Sequence, residues 1–75
     1  MIKTGERYLA CFDNMPKRQP FTIKVLEIAP SANFVLLDMI PWATWVIYDK
    51  KTNGFRMRFV DNITISIIER LKKNG

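Results

Sequence analysis

The stretch that decides the fold is "WVIYDKKTNGFRMRF", residues 45–59, in which two strand-like segments flank an Asn-Gly pair. After the pair, large apolar residues alternate with arginine without exception, and before it stands the aromatic and β-branched run 45–48; both are typical of strands. Asn53 and Gly54 both tolerate the positive φ angles of a two-residue type I′ turn, and this dipeptide is the strongest short-range signal of a β-hairpin. We therefore predict a hairpin centred on this pair.

The register of the hairpin depends on the length of its turn. A two-residue turn places Tyr48 across from Phe59 and divides the side chains between two faces. The inward face then holds Val46, Tyr48, Phe55, Met57 and Phe59, and the outward face holds Asp49, Lys51, Arg56 and Arg58. A three-residue turn with a bulge would instead carry Trp45 and Ile47 inward, and the sequence leaves both registers open.

The period of two continues through most of the chain and predicts further strands. They are "ERYLACF" (6–12), "FTIKVLEIA" (21–29), "FVLLDMI" (34–40) and a last strand that begins at Ile63. In that last strand, the spacing of Ile67, Ile68 and Leu71 also allows a short helical turn near the C-terminus. We expect an almost all-β protein.

The second predicted strand changes parity in its middle. Ile23 and Val25 follow one alternation, whereas Leu26 and Ile28 follow the other. A β-bulge near Val25 and Leu26 restores a single buried face and bends the strand, as closing a small sheet requires. Without the bulge a charged neighbour such as Lys24 would be buried, which is costly.

Five or six short strands in so short a chain hide their edges best by closing into a barrel. The layout of "GERYLACF" (5–12), "FTIKVLEIAPSANFVLL" (21–37), the hairpin and "ITISIIERL" (63–71) resembles the SH3-like barrels of the Tudor and KOW type. The resemblance implies a small five- to six-stranded SH3-like barrel. The four-aromatic cage of Tudor domains that read methyl-lysine is missing, and an OB-like barrel is the competing five-stranded fold.

The composition and length of the chain limit which class of protein it can be. The chain has 75 residues, of which 48% are hydrophobic and 25% charged, so we expect a single domain over residues 1–75. The single cysteine, Cys11, cannot form an internal disulfide, which favours a reducing, cytoplasmic setting. The first ten residues lack the apolar centre of a secretory signal. The longest uncharged run, Met39 to Tyr48, is too short for a membrane helix, so we expect no membrane association.

The chain also lacks the usual chemistry of enzymes. It has no histidine, hence neither the commonest general base nor the usual metal ligand, and one cysteine cannot build a zinc site. No glycine-rich phosphate loop is visible. The acidic residues are scattered singly, at Glu6, Asp13, Glu27, Asp38, Asp49, Asp61 and Glu69. We expect no enzymatic activity, no cofactor and no metal.

Positive charge is the main functional signal, since the net charge is +5 and the isoelectric point is near 9.7. Arg56 and Arg58 share one face of the hairpin, about 6 to 7 Å apart, a spacing suited to neighbouring phosphates. The candidate nucleic-acid-binding cations are Lys17, Arg18, Lys24, Lys50, Lys51, Arg56 and Arg58. The alternative is that these charges only solvate an amphipathic surface, because a net charge of about 2 to 8 is ordinary for a small domain.

Aromatic residues next to this charge offer stacking surfaces. In "PWATW" (41–45), Trp42 is a candidate platform for a base or a peptide if it lies exposed in a loop, and Tyr48 is a second candidate. The alternative is that both indoles of this segment cap the core of the barrel.

Two hypotheses of function follow. The leading one is a non-enzymatic module that binds single-stranded DNA or RNA through the basic hairpin face and an exposed aromatic side chain. The second is a protein-interaction or homodimerisation module, including one that regulates a larger partner, which would use the PWATW region or an open strand edge.

Overall fold

The computed structural model of the chain describes residues 2–13, 19–31, 33–39, 41–58 and 63–72. Within these ranges the protein contains six strands and no helix. The strands are β1 (Arg7–Phe12), β2 (Phe21–Ile28), β3 (Phe34–Asp38), β4 (Ala43–Asp49), β5 (Gly54–Met57) and β6 (Thr64–Leu71).

The six strands form a closed antiparallel barrel in which every strand pairs with its neighbours along the chain and β6 pairs with β1. This confirms the predicted all-β fold and is consistent with a small SH3-like barrel. In the part of the chain that the structure describes, each strand has a partner on both sides. Closure therefore satisfies most backbone hydrogen-bonding groups that an open sheet would expose at its edges.

The inward side chains of all six strands make one hydrophobic core. Apart from the small Ala10, the aliphatic side chains at 0% exposure are Ile23, Val25, Val35, Leu37 and Val46. No polar or charged side chain among the described residues is buried. Each fully buried aliphatic side chain contributes about 1.5 to 3 kcal/mol, which is what a chain without disulfides needs to remain folded.

The hairpin forms, but its register differs from the prediction. Asp49 lies across from Gly54 and Tyr48 across from Phe55, so the turn has four residues, 50–53, and the predicted two-residue turn is wrong. Asn53 has a φ of 53°, whereas Gly54 is not in the positive-φ region. The Asp49 Oδ1 atom accepts the Lys51 N–H at 2.9 Å, which stabilises this longer turn.

The predicted faces of the hairpin nevertheless hold. The new register moves the pairing by an even number of residues, and side chains alternate with a period of two, so each described residue keeps its predicted side. Val46 and Phe55 are buried, and Arg56 is exposed. The alternative with Trp45 and Ile47 inward is therefore excluded, whereas Phe59 lies outside the described residues.

Gly54 is required for a reason other than its φ angle. A Cβ atom at this position would lie 2.6 Å from the carbonyl oxygen of Ile65 on β6. The added Cβ would be held in place by the backbone of β5, and the carbonyl oxygen belongs to the backbone of β6, which pairs with β5. Neither atom can therefore move away cheaply. The glycine lets β5 and β6 approach each other.

The predicted bulge in β2 is confirmed. Val25 pairs with Leu37 and Glu27 pairs with Leu36, so Leu26 is the extra residue. Leu26 is 38% exposed, and the bulge keeps Val25 inward and Glu27 outward.

A second bulge was not predicted. Leu9 pairs with Glu69 and Ala10 with Ile67, so Ile68 is the extra residue in β6. This bulge explains the change of parity that suggested a helical turn near the C-terminus. The segment is instead strand up to Leu71.

A hydrogen-bonded network joins β1 to β6 at one end of the barrel. The Tyr8 hydroxyl donates to Glu6 Oε1 at 2.9 Å, and Arg70 Nη1 donates to Glu6 Oε2 at 3.2 Å. The Lys3 N–H donates to the Tyr8 hydroxyl at 3.3 Å. Burial, and secondly the hydrogen bond to Glu6, raise the pKa of Tyr8.

Candidate nucleic-acid interface

The outward side chains of three adjacent strands form one continuous surface. Phe34 on β3 lies across from Ile47 on β4, and Ile47 lies across from Arg56 on β5. The next outward pair along these strands is Leu36 with Trp45. We call this surface the β3–β5 face; it consists of Phe34, Leu36, Trp45, Ile47, Arg56 and Arg58.

Arg58 reaches across this face. Its guanidinium carbon lies over the ring of Phe34, 5.4 Å from the ring centroid, in a cation–π arrangement. Both residues are exposed, with 39% of Phe34 accessible. The pair places a flat cationic group on a flat aromatic ring at the protein surface. Sequence reasoning did not select Phe34, although its alternation with the buried Val35 and Leu37 was the signal that it points outward.

A groove of about 590 Å³ opens at the hairpin end of the β3–β5 face. Lys50, Lys51 and Arg56 line it, so the structure brings three of the predicted cations to one site. Asp49 and Asp13 line the same groove and offset part of this charge.

The Asp13 carboxylate is held by hydroxyl groups of β6. Thr64 donates to Asp13 Oδ2 at 2.7 Å, and Ser66 donates to Oδ1 at 2.7 Å and to Oδ2 at 2.9 Å. Hydrogen bonds of this kind disperse the charge of the carboxylate. Asp13 therefore marks the β6 side of the groove as its acidic border.

Tyr48, the second predicted platform, lines the groove at the hairpin. Its ring is half-buried and packs on Phe55, with 5.6 Å between the ring centroids. Its hydroxyl donates to Asn53 Oδ1 at 2.6 Å. This geometry fixes Tyr48 between the core and the turn, and stacking of a base on its ring stays a prediction.

Trp42 is 50% exposed in the turn between β3 and β4, where its carbonyl oxygen accepts the Met39 N–H at 2.9 Å. Trp45 is half-buried, and its pairing with Leu36 places it on the outer surface. Neither indole therefore caps the core, and the exposed alternative holds for Trp42.

Lys24 is not part of this surface. It lies on β2, across from Arg7 on one side and Asp38 on the other. In a closed barrel of six strands in chain order, β2 and β5 are three strands apart in either direction, so Lys24 and Arg56 lie on opposite sides. The remaining predicted cations, Lys17 and Arg18, lie outside the described residues.

Within the described ranges, no three His, Cys, Asp or Glu side chains are grouped so that they could hold a metal ion. No helix with the length and apolar character of a membrane span occurs among the described residues.

Comparison of the chain with models of known protein families, with curated proteins and with solved structures gave no match. The β3–β5 face and the groove are therefore the features that bear on the function of this protein.

Proposed function

We propose that this protein is a non-enzymatic module that binds single-stranded nucleic acid on the β3–β5 face and the adjoining hairpin. The observation that supports this most directly is the shared location of exposed aromatic and cationic side chains. The Arg58 guanidinium lies over the ring of Phe34. Arg56 lies on the same surface, separated from Phe34 by Ile47, which pairs with both residues. Surfaces that bind single strands combine such cations for the phosphates with aromatic rings for the bases.

The charge on this side of the barrel suits a polyanion. The hairpin supplies Lys50, Lys51, Arg56 and Arg58, against the carboxylates of Asp49 in the hairpin and Asp13 at the border of the groove. The net charge of +5 adds a long-range field that raises the rate of encounter with a polyanion. We expect the phosphates to supply most of the affinity, so binding should weaken steeply as salt is added.

The exposed aromatic rings favour unpaired bases over a duplex. A base can stack on Trp42, or on the Arg58 guanidinium above Phe34, only if its own face is free. Stacking is worth about 1 to 3 kcal/mol per base and tolerates any base. Weak sequence preference is the expected consequence.

A direct titration tests this proposal. Labelled single-stranded DNA and RNA of about 12 nucleotides and a duplex of the same length are titrated with the protein and followed by fluorescence anisotropy. We expect both single strands to bind more tightly than the duplex, and all three to weaken between about 50 mM and about 200 mM salt. An affinity that does not change with salt concentration, or no binding even at low salt, would refute the proposal.

A protein-interaction module is the second candidate, and one observation favours it. Trp42, in the turn before β4, is 50% exposed, and Phe34 on the β3–β5 face is 39% exposed and lies across from the apolar Ile47. The form of this hypothesis that uses an open strand edge is not favoured, because the described strands all have two partners. Sedimentation over a range of protein concentrations tests self-association through the face; a monomer at high concentration would exclude a homodimer.

A further inference from the structure

The arrangement of charge on the β3–β5 face suggests in which direction a bound strand runs. Resting on the function proposed above, we infer that a single-stranded segment of about four nucleotides lies lengthwise along β4. Its phosphates contact the hairpin at one end, and a base stacks on Trp42 at the other.

The borders of the face disfavour a path around the barrel. On the β2 side, Glu27 is exposed and lies directly across from Leu36. On the β6 side, Asp13 is bound by Thr64 and Ser66 at the edge of the groove. A polyanion that crossed the strands would meet a carboxylate on either side, where like charges repel.

The cations lie along the strand direction instead. Arg56 on the outer side of β5 is followed by Arg58 just beyond the end of that strand, and Lys50 and Lys51 continue this series at the turn. Two carboxylates lie on this path among the described residues: Asp49, whose Oδ1 atom accepts the Lys51 backbone N–H, and Asp38 on β3, which lies across from Ala43 next to Trp42. A strand running lengthwise therefore keeps its phosphates near cations at the hairpin end, and a base meets the Trp42 end.

The length of β4 sets the size of the site. Trp42 and Lys50 are eight positions apart in the sequence, which is about 26 Å of extended backbone. This distance corresponds to about four nucleotides of extended single strand, the lower end of the range found for small barrels that bind such strands. The Arg58–Phe34 pair lies between the two ends and offers a middle position for a base.

Oligonucleotide length tests this inference. The binding of oligothymidylates of two to eight nucleotides is measured at low salt by titration into the millimolar range. For the native protein we expect affinity to rise up to about four nucleotides and then level off. Trp42→Ala should weaken binding of the six-nucleotide oligomer by about 5- to 150-fold but leave binding of the two-nucleotide oligomer within about twofold.

Ile68→Ala is the matched control, because Ile68 and Trp42 are both 50% exposed and Ile68 lies on β6. We expect it to bind all lengths as the native protein does. In a Trp45→Phe variant Trp42 is the only tryptophan, and its fluorescence should be quenched by the six-nucleotide oligomer.

Three outcomes would overturn the lengthwise site while leaving nucleic-acid binding intact. They are no quenching of Trp42, an equal effect of Trp42→Ala on the long and short oligomers, and affinity that keeps rising well beyond about four nucleotides. No binding of any oligomer by the native protein at low salt would instead refute the proposed function itself.

Discussion

Removing the two arginines of β5 and its extension is the sharpest test of where a polyanion binds. The variant Arg56→Ala/Arg58→Ala takes two guanidinium groups from the β3–β5 face, and both side chains are exposed. Since neither belongs to the hydrophobic core, the barrel should fold and the effect should fall on binding. A circular dichroism spectrum and a melting curve verify the fold before binding is measured.

The magnitude follows from the number of phosphates neutralised. For single strands, log K falls with log [salt] with a slope of about −0.7 per phosphate contact, so four cations give a slope of about −2.8. The native protein should then lose about 50-fold in affinity between about 50 mM and about 200 mM salt. With two cations left, the slope becomes about −1.4 and the loss about sevenfold. Anisotropy titrations at four or more salt concentrations resolve this difference.

A second double variant controls for net charge. Arg7→Ala/Lys24→Ala also removes two positive charges, but from neighbouring positions on β1 and β2. Its salt slope should stay at about −2.8, because no phosphate contact is lost. If both double variants reduce the slope of log K against log [salt] equally, the protein attracts nucleic acid through its net positive charge, and the β3–β5 face is not the site.

Three further predictions concern stability. Gly54→Ala should destabilise the barrel by about 1 to 3 kcal/mol, because its Cβ would meet the Ile65 carbonyl oxygen; the melting temperature should fall by about 4 to 8 °C per kcal/mol. Leu37→Ala should cost about 2 to 5 kcal/mol and leave much of the chain unfolded in water, as urea titration would show. The folded-state pKa of Tyr8 is raised, so the unfolded chain loses this proton first and stability should fall as the pH rises above about 10. Tyr8→Phe should remove that part of the alkaline decline, visible in urea midpoints measured between about pH 8 and about pH 11, and a decline of unchanged steepness would contradict the argument.

The strands and their faces were predictable because burial imposes a period of two. The parity change at Val25 and Leu26 even located a bulge, since Lys24 and Glu27 both had to stay in water. The bulge at Ile68 was missed for a related reason: in a sequence, the same change of parity also fits one turn of helix. Pairing with β1 decides between the two, and that pairing spans more than fifty residues of chain.

The register of the hairpin was not predictable from the Asn-Gly pair. Local propensity favours a two-residue turn, but the structure uses Asn53 in the turn and places Gly54 in β5. The glycine is needed there because of the approach of Ile65, which comes from a strand that is distant in sequence. A tertiary constraint therefore determined the register. The predicted faces of the hairpin remained correct because the observed pairing differs from the predicted one by an even number of residues.

For the candidate site, too, some features follow from neighbouring residues in the sequence and others only from contacts between distant segments. In a barrel whose strands follow one another in chain order, a surface that spans three consecutive strands and does not cross the β6–β1 closure is encoded in one continuous segment, here residues 34–58. Arg56 and Arg58 could be selected from the sequence because they alternate with inward residues inside that segment. Lys24 falls outside it, and closure of six strands places β2 opposite β5. The number of strands, which the sequence left between five and six, thus decides which cations can meet one ligand.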